Sequence, residues 1–364
     1  GRRGVGVNPL RGQNNVQGAA DMGCQPHQGA GYFPVADKKI QDFYTEKYGA
    51  VHPTKAGLKI PEIFDAAINK EVKGLWIIGE DIVQTDPNSA HVIKAMESLD
   101  LLVVQEIFMS ETAKLADVVL PGTTFLEKDG TFTNTERRVQ RVNKAAEPLQ
   151  GTKPDGVIVT EMMQKLGYDQ PTYDADQVLA EVADVVPFFK GITRERLGKL
   201  GLQWPVKEDG TDTKILHEKE FKLGKGRLKS FDWKESTEIK NNIKEYPLIL
   251  TTSRVLQHYN AATMTRRTKN LNIVDEDILL VNPIDAKERE LNNGDIARLY
   301  SGRGEVSLKV EVTDKVKEGI VFTTFHFPEH MVNMVTGDGK DEETKCAEYK
   351  VSAVQVQKIS NKFK

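Results

Sequence analysis

The sequence predicts an α/β protein in two parts: a parallel α/β sheet domain, then a small closed β-barrel. Three observations predict it. Short apolar runs alternate with helical patterns between residues 74 and 120, as strands and crossover helices do in a parallel sheet. Six short strand patterns follow Tyr246 within one stretch, which suits a small barrel. Between these regions, residues 189–245 are rich in Lys, Gly and Asp with few apolar runs, and read as a long connection.

The elements follow in order. Residues 1–35 are rich in Gly, Asn, Gln and Pro and read as loop with room for one short helix. Apolar spacing predicts helices over 38–48 and 60–69. Gly74-Leu-Trp-Ile-Ile-Gly79 is too short for a helix, and its flanking glycines favour a buried strand. A helix over 88–98 has Asp86 or Asn88 as its N-cap. Strands over 99–104 and 117–120 follow, separated by a short helical pattern at 110–115 and stopped by Pro121-Gly122. Residues 123–150 change character, with Thr, Asn and charged residues. Helical patterns return near 155–167 and 174–186. The later strands are 247–251, 278–281, 295–300, 305–312, 319–325 and 349–359, with Ser301-Gly-Arg-Gly304 as a hairpin turn.

Composition narrows the class. The 364 residues suffice for two or three domains. Hydrophobic content of 39% and charged content of 28% exclude a disordered or fibrous chain. A net charge of −3 argues against a nucleic-acid partner, which would call for a basic excess. No apolar run reaches the roughly 18 residues of a membrane span. Cys24 and Cys346 are too few for a disulfide framework or for the four thiolates of an iron–sulfur cluster. The opening, without Met or an apolar signal segment, reads as the middle of a longer protein.

Several clusters carry chemistry. Glu80-Asp81 and Gln105-Glu106 directly follow predicted strands, where open α/β sheets bind ligands. Carboxylates there can accept hydrogen bonds from ribose hydroxyls or guanine; the alternative is that they cap the next helices. Arg11 sits among the side-chain amides of residues 8–18, and could clamp a small carboxylate with paired donors or belong to a solvated loop. Thr252-Ser-Arg-Val-Leu-Gln-His258 follows a strand and offers hydroxyls, amides, an Arg and a His to a phosphate. His326 and His330 are four apart, but the intervening Phe-Pro-Glu argues against a metal pair. No nucleophile elbow, P-loop or Gly-x-Gly-x-x-Gly is present.

Taken together these stretches resemble the molybdopterin-dependent formate dehydrogenase catalytic subunits of the dimethyl-sulfoxide-reductase superfamily. The carrying motifs are Gly6-Val-Asn-Pro-Leu-Arg-Gly-Gln-Asn-Asn-Val-Gln-Gly18 with Asp21-Met-Gly23, Gly79-Glu-Asp81, Gln105-Glu-Ile-Phe-Met109 and Ala116-Asp-Val-Val-Leu-Pro121. Glu127-Lys-Asp-Gly-Thr-Phe-Thr-Asn134 with Glu136-Arg-Arg138, Thr252 to His258, Met264-Thr-Arg266, Asn333-Met-Val-Thr336 and Glu348-Tyr-Lys350 continue the family's order. The resemblance implies a six-stranded double-psi barrel and a bis(molybdopterin guanine dinucleotide) cofactor with molybdenum or tungsten. It implies that Arg11 orients formate beside the metal, with Gln13 nearby. It carries nucleotide contacts to Glu80, Asp81, Gln105 and Glu106, and further cofactor contacts to Lys128 and Asp155. Thr252, Ser253, Arg254 and His258 would line a pterin and its phosphates, with Phe325, Asn333, Tyr349 and Lys350 as other pterin-side contacts.

The family's N-terminal portion, with its [4Fe–4S] cysteines and the Cys or selenocysteine metal ligand, is expected outside this chain, so no residue here is expected to ligate the metal. Cys24 and Cys346 match none of those positions and read as ordinary residues. The expected divisions are a tail over 1–13, a cofactor-binding α/β domain over 14–125, a mixed connection over 126–245 and the barrel over 246–364. The implied activity of the full enzyme is oxidation of formate to carbon dioxide in anaerobic formate metabolism, with electron-transfer subunits or acceptor proteins as partners; this chain alone is expected to be inactive. The lack of cysteine pairs suits the cytoplasm and leaves the periplasm open. Another superfamily oxidoreductase, such as a nitrate reductase, and a non-catalytic cofactor-binding or scaffold subunit are the alternatives.

Overall fold

The structure is a computed structural model describing residues 6–221 and 223–359; the first five residues of the expected tail and the last five of the barrel domain lie outside the described residues. The chain groups into two units that interleave along the sequence. One comprises residues 1–59 and 121–229, the other 60–120 and 230–364. The divisions drawn above are continuous stretches, whereas each of these units takes two separate stretches of chain.

The first unit opens with α1 (Val16–Asp21), the two-residue strands β1 (Gln28–Gly29) and β2 (Phe33–Pro34), and α2 (Lys38–Tyr48). Asp37 caps α2 by accepting the Lys39 amide at 2.9 Å, and Gly49 ends it at φ +66°, a conformation that favours glycine. The second unit then begins with α3 (Ile60–Ile68), β3 (Gly74–Ile78), α4 (Ile82–Thr85), α5 (Ser89–Glu97), β4 (Leu101–Glu106) and β5 (Val118–Pro121). Asn88, not Asp86, caps α5. Strands β3 and β4 pair in parallel, Gly74 opposite Leu101 through Ile78 opposite Gln105, and β5 lies on the far side of β4. Phe64, Ala67, Val92, Ala95 and Met96 from the helices bury against Ile77, Leu102 and Val104. Full burial of each large apolar side chain contributes about 1.5–3 kcal/mol. The helical pattern at 110–115 is a single 3-10 turn, Ala113–Leu115, preceded by the Glu111 and Thr112 amides that Asp81 takes up.

The first unit resumes with the hairpin β6 (Gly130–Thr133) and β7 (Arg138–Val142), helices α6 (Asp155–Lys165) and α7 (Ala175–Val185), then α8 (Arg194–Leu197) and β8 (Leu202–Gln203), which pairs with β7. This three-stranded sheet was not expected. Val139 is the only fully buried residue of β7, whose other positions are polar or half-exposed, so no alternating pattern announces it. The stretch expected to be a connection also supplies core: Phe189, Ile192, Leu197 and Val206 pack with Val139, Leu179 and Val186.

The second unit ends in the barrel. After α9 (Thr237–Asn242), strands β9 (Leu248–Ser253), β10 (Ile278–Val281), β11 (Ile296–Tyr300), β12 (Glu305–Val312), β13 (Ile320–Thr324) and β14 (Ser352–Lys358) close in the order β10-β12-β11-β14-β9-β13, with α10 (Pro283–Glu288) after β10. The pairs β10–β12 and β9–β13 are parallel and the rest antiparallel. On β12, Val306, Leu308 and Val310 point inward while Glu305, Ser307 and Lys309 face out, the period of two that the sequence shows. Closure removes the sheet edges. Among the described residues no helix is long and apolar enough to cross a membrane.

Candidate functional site

In the first unit the amide-rich segment is organised around a buried carboxylate. Asp21, at the end of α1, is fully buried. It accepts hydrogen bonds from Gln17 Nε2 at 2.9 Å, the Tyr32 hydroxyl at 2.7 Å and Trp204 Nε1 at 2.8 Å. Gln17 Nε2 also reaches the Tyr32 oxygen at 2.8 Å, and Gln17 Oε1 accepts from Arg11 Nε at 3.2 Å. Burial pushes the Asp21 carboxyl upward, opposed by these donors and the Arg11 charge. Arg11 itself is exposed, with its Nη groups directed to no other side chain among the described residues, and Gln13 is exposed beside it. Lys128 and Asp155 form an ion pair with each other, and Lys128 also donates to the Thr123 carbonyl at 3.2 Å.

In the second unit, the residues at the strand ends divide. Asp81 is buried and its carboxylate is taken up internally, accepting from the Thr112 amide at 2.9 Å, the Thr112 hydroxyl at 2.7 Å and the Glu111 amide at 3.2 Å. It therefore tethers the 110–115 turn. Gln105 is buried, and Glu106 accepts the Ile107 amide at 2.7 Å. Asp86 is buried and carries a carboxyl pushed up to about 7 by burial and by the Glu80 charge. Tyr349 lies in the field of both acids, and its hydroxyl is pushed up chiefly by burial.

The Thr252–Asn260 segment leaves the end of β9. Thr252 is buried, with its hydroxyl donated to the Tyr349 carbonyl at 2.9 Å; Ser253 follows, half-buried. Arg254 is exposed, lies 5.1 Å over the Phe325 ring and donates to Asn260 Oδ1 at 2.6 Å. Lys350 donates to the Thr252 carbonyl, and its ammonium is pushed down by burial and by Arg254. His258 is buried, its Nε2 on the Val274 carbonyl at 2.8 Å and its Nδ1 on the Thr265 hydroxyl at 3.0 Å. Asn333 is buried and spends its amide on the Gln84 and Thr85 carbonyls, at 2.8 and 3.2 Å.

Three residues not singled out as binding groups complete this region. Gln84 Nε2 reaches the carbonyls of Ala261, Phe325 and His326 at 3.1, 3.2 and 3.1 Å. His326 and Asp277 are both fully buried beneath the segment. Both ring nitrogens of His326 are engaged within the protein, and among the described residues no group of three or more His, Cys, Asp or Glu could hold a metal ion. Cys24 and Cys346 are exposed and form no disulfide.

The donor set suits a dinucleotide. Arg254 and Lys350 are neighbouring cations, and neither has a carboxylate ion-pair partner among the described residues. Like charges so placed fit a phosphate. The Glu80–Asp86–Tyr349 group offers acceptors suited to ribose hydroxyls and base N–H groups.

The parallel sheet, the closed barrel and this donor set define a class, and the chain belongs to the molybdopterin oxidoreductase family. That family's model matches residues 1–165, and the molybdopterin dinucleotide binding domain model matches residues 248–353. Among similar proteins, the chain is 45% identical to the F420-dependent formate dehydrogenase subunit alpha of Methanocaldococcus jannaschii, over 99% of this chain and 54% of that protein. It is 44% identical to the F420-dependent formate dehydrogenase 2 subunit alpha of Methanococcus maripaludis, over 99% of this chain and 53% of that one. The chain thus spans about half the length of the curated relatives it matches. Acetylene hydratase from Pelobacter acetylenicus shares the fold, with a TM-score of 0.64 at 20% identity over 88% of this chain and 50% of that one.

Proposed function

We propose that this chain is the C-terminal part of a formate dehydrogenase catalytic subunit that binds bis(molybdopterin guanine dinucleotide) with molybdenum or tungsten. The full-length subunit oxidises formate reversibly to carbon dioxide, releasing one proton and two electrons. When bound, the cofactor supplies the two-electron redox chemistry. The electrons leave by a [4Fe–4S] cluster held outside this chain, and the names of the relatives favour F420 as the acceptor. The proposed compartment is the cytoplasm.

The observation that carries the reading is Arg11, an exposed guanidinium tied through Gln17 to the buried Asp21, in a chain similar end to end to formate dehydrogenase alpha subunits. Arg11 holds the formate carboxylate with its Nη groups while Nε keeps the Gln17 bond. A charged hydrogen bond of this kind contributes about 1.5–3 kcal/mol, and orientation of the reacting C–H bond adds to it. Arg254 and Lys350 take the cofactor phosphates, and Glu80 and Asp86 the nucleoside end. Ser253, Phe325 and Tyr349 line the cofactor in the second unit, and Gln13 accompanies Arg11 in the first. Asp81, Gln105, Glu106, His258 and Asn333 hold the segments that carry these groups, while Lys128 and Asp155 act as an ion pair that a phosphate must open.

The test is formate-dependent dye reduction by the metal-loaded full-length subunit beside Arg11→Ala and Arg11→Lys. We expect turnover by the wild type and a loss of kcat/KM of roughly a hundredfold or more in Arg11→Ala. The smaller loss falls in Arg11→Lys, which keeps the charge without the fork. Turnover of nitrate without formate, or no metal and pterin in the purified full-length protein, would refute the proposal.

A further inference from the structure

We propose that His326 is a positioning residue that closes the Val255–Asn260 loop and thereby sets the place of Arg254. The claim about Arg254 rests on the reading of this loop as the phosphate-binding segment.

The imidazole bridges the two ends of the loop. Its Nδ1 lies 2.6 Å from the Asn260 carbonyl, and its Nε2 lies 3.2 Å from the Val255 amide nitrogen. A carbonyl only accepts and an amide N–H only donates. The ring must therefore be neutral, with its proton on Nδ1 and a lone pair on Nε2. Burial favours the same state by pushing the ring's pKa down.

The link from His326 to Arg254 is short. Asn260 sits at φ +51°, in the left-handed region, and its side chain accepts from Arg254 Nη2 at 2.6 Å. One residue therefore meets the imidazole with its backbone and the guanidinium with its side chain. The backbone that carries the ring is itself fixed from behind. The buried Asp277 accepts the His326 and Phe327 amides, both at 3.1 Å, and the Thr324 hydroxyl. The His326 carbonyl accepts from Gln84 Nε2 at 3.1 Å and Arg266 Nη1 at 3.2 Å. A group with all of its polar atoms engaged in this way holds one orientation. The bridge spans residues 255 and 260 from a residue on another strand connection, which local sequence pairing cannot supply.

The test compares His326→Gln, which keeps a neutral donor and acceptor, with His326→Phe, which keeps the bulk without either. Hydrogen exchange is followed on the full-length subunit in peptides spanning 254–262, with peptides from β9 and β13 as the control for general unfolding. Binding of GDP to the cofactor-free full-length subunit reports on the phosphate site. Loss of two buried hydrogen bonds predicts that His326→Phe exchanges about tenfold faster or more in 254–262 and binds GDP about tenfold more weakly, with the control strands unchanged. His326→Gln should stay within about threefold of the wild type in both. Wild-type exchange in 254–262 of His326→Phe, or equal behaviour of the two variants, would overturn the bridge. Faster loop exchange with unchanged GDP affinity would leave the bridge standing and refute the reading of the loop as the phosphate site.

Discussion

The two cationic centres are built in opposite ways. Around Arg11, a buried carboxylate is already in place: Asp21 accepts from Gln17, Tyr32 and Trp204, and Gln17 passes the connection to the guanidinium. Around Arg254 and Lys350 no carboxylate among the described residues pairs with either cation, and burial together with the Arg254 charge lowers the Lys350 pKa. The first arrangement holds a charge in a set direction before anything binds. The second is electrostatically incomplete, and an anion completes it. The difference teaches which site should depend on the protein for its stability and which on its ligand.

The largest effect should come from breaking the self-contained centre. Asp21→Ala leaves three donors facing a buried gap, and by the usual cost of such losses should destabilise the first unit by about 3–5 kcal/mol. Thermal unfolding followed by Trp204 fluorescence checks this; a shift of a degree or less would show that the network contributes little.

The ligand-completed centre should respond to an anion instead. GDP at about a hundred times its Kd should stabilise the cofactor-free full-length subunit by about 2.7 kcal/mol. Lys350→Ala should lose most of that gain while leaving stability without GDP close to wild type, since the ammonium's one hydrogen bond among the described residues is to a carbonyl. Equal GDP stabilisation of the two proteins would remove Lys350 from the site.

A third effect sharpens the comparison through pH. Asp86 has its carboxyl raised to about 7 by burial and by Glu80. A group raised in this way contributes stability that is fully present below the ordinary aspartate pKa and lost as pH rises through about 7. Asp86→Asn cannot ionise and should keep what the wild type loses, so its stability relative to the wild type should rise between pH 4 and 8. Urea unfolding at both pH values checks the sign; a constant difference would mean that Asp86 is ionised throughout.

Much of the fold was legible in the sequence because local patterns carry it. Helix α2 and strands β10 and β12 fall where apolar spacing placed them, and Ser301 closes its turn by donating its amide to the Gly304 carbonyl at 3.0 Å. The hairpin β6–β7 was not legible, since its strands lack an apolar alternation. The alternatives at the strand ends are also separated only by structure. Asp81 tethers a turn thirty residues downstream, whereas Asp86, weighed only as a helix cap, is buried in the field of Glu80.

The sequence by itself determined the helices and strands of the parallel sheet and the barrel, the ordered motifs from Arg11 to Lys350, and with them the family. Tertiary structure decided which polar groups are spent internally and which remain open to a ligand. Asn333 is consumed by the Gln84 carbonyl 249 residues away, and the Gln84 amide by the His326 carbonyl 242 residues away. A hydrogen bond between such distant residues leaves no period or spacing to read. It exists only because the closed barrel brings the end of β13 against α4.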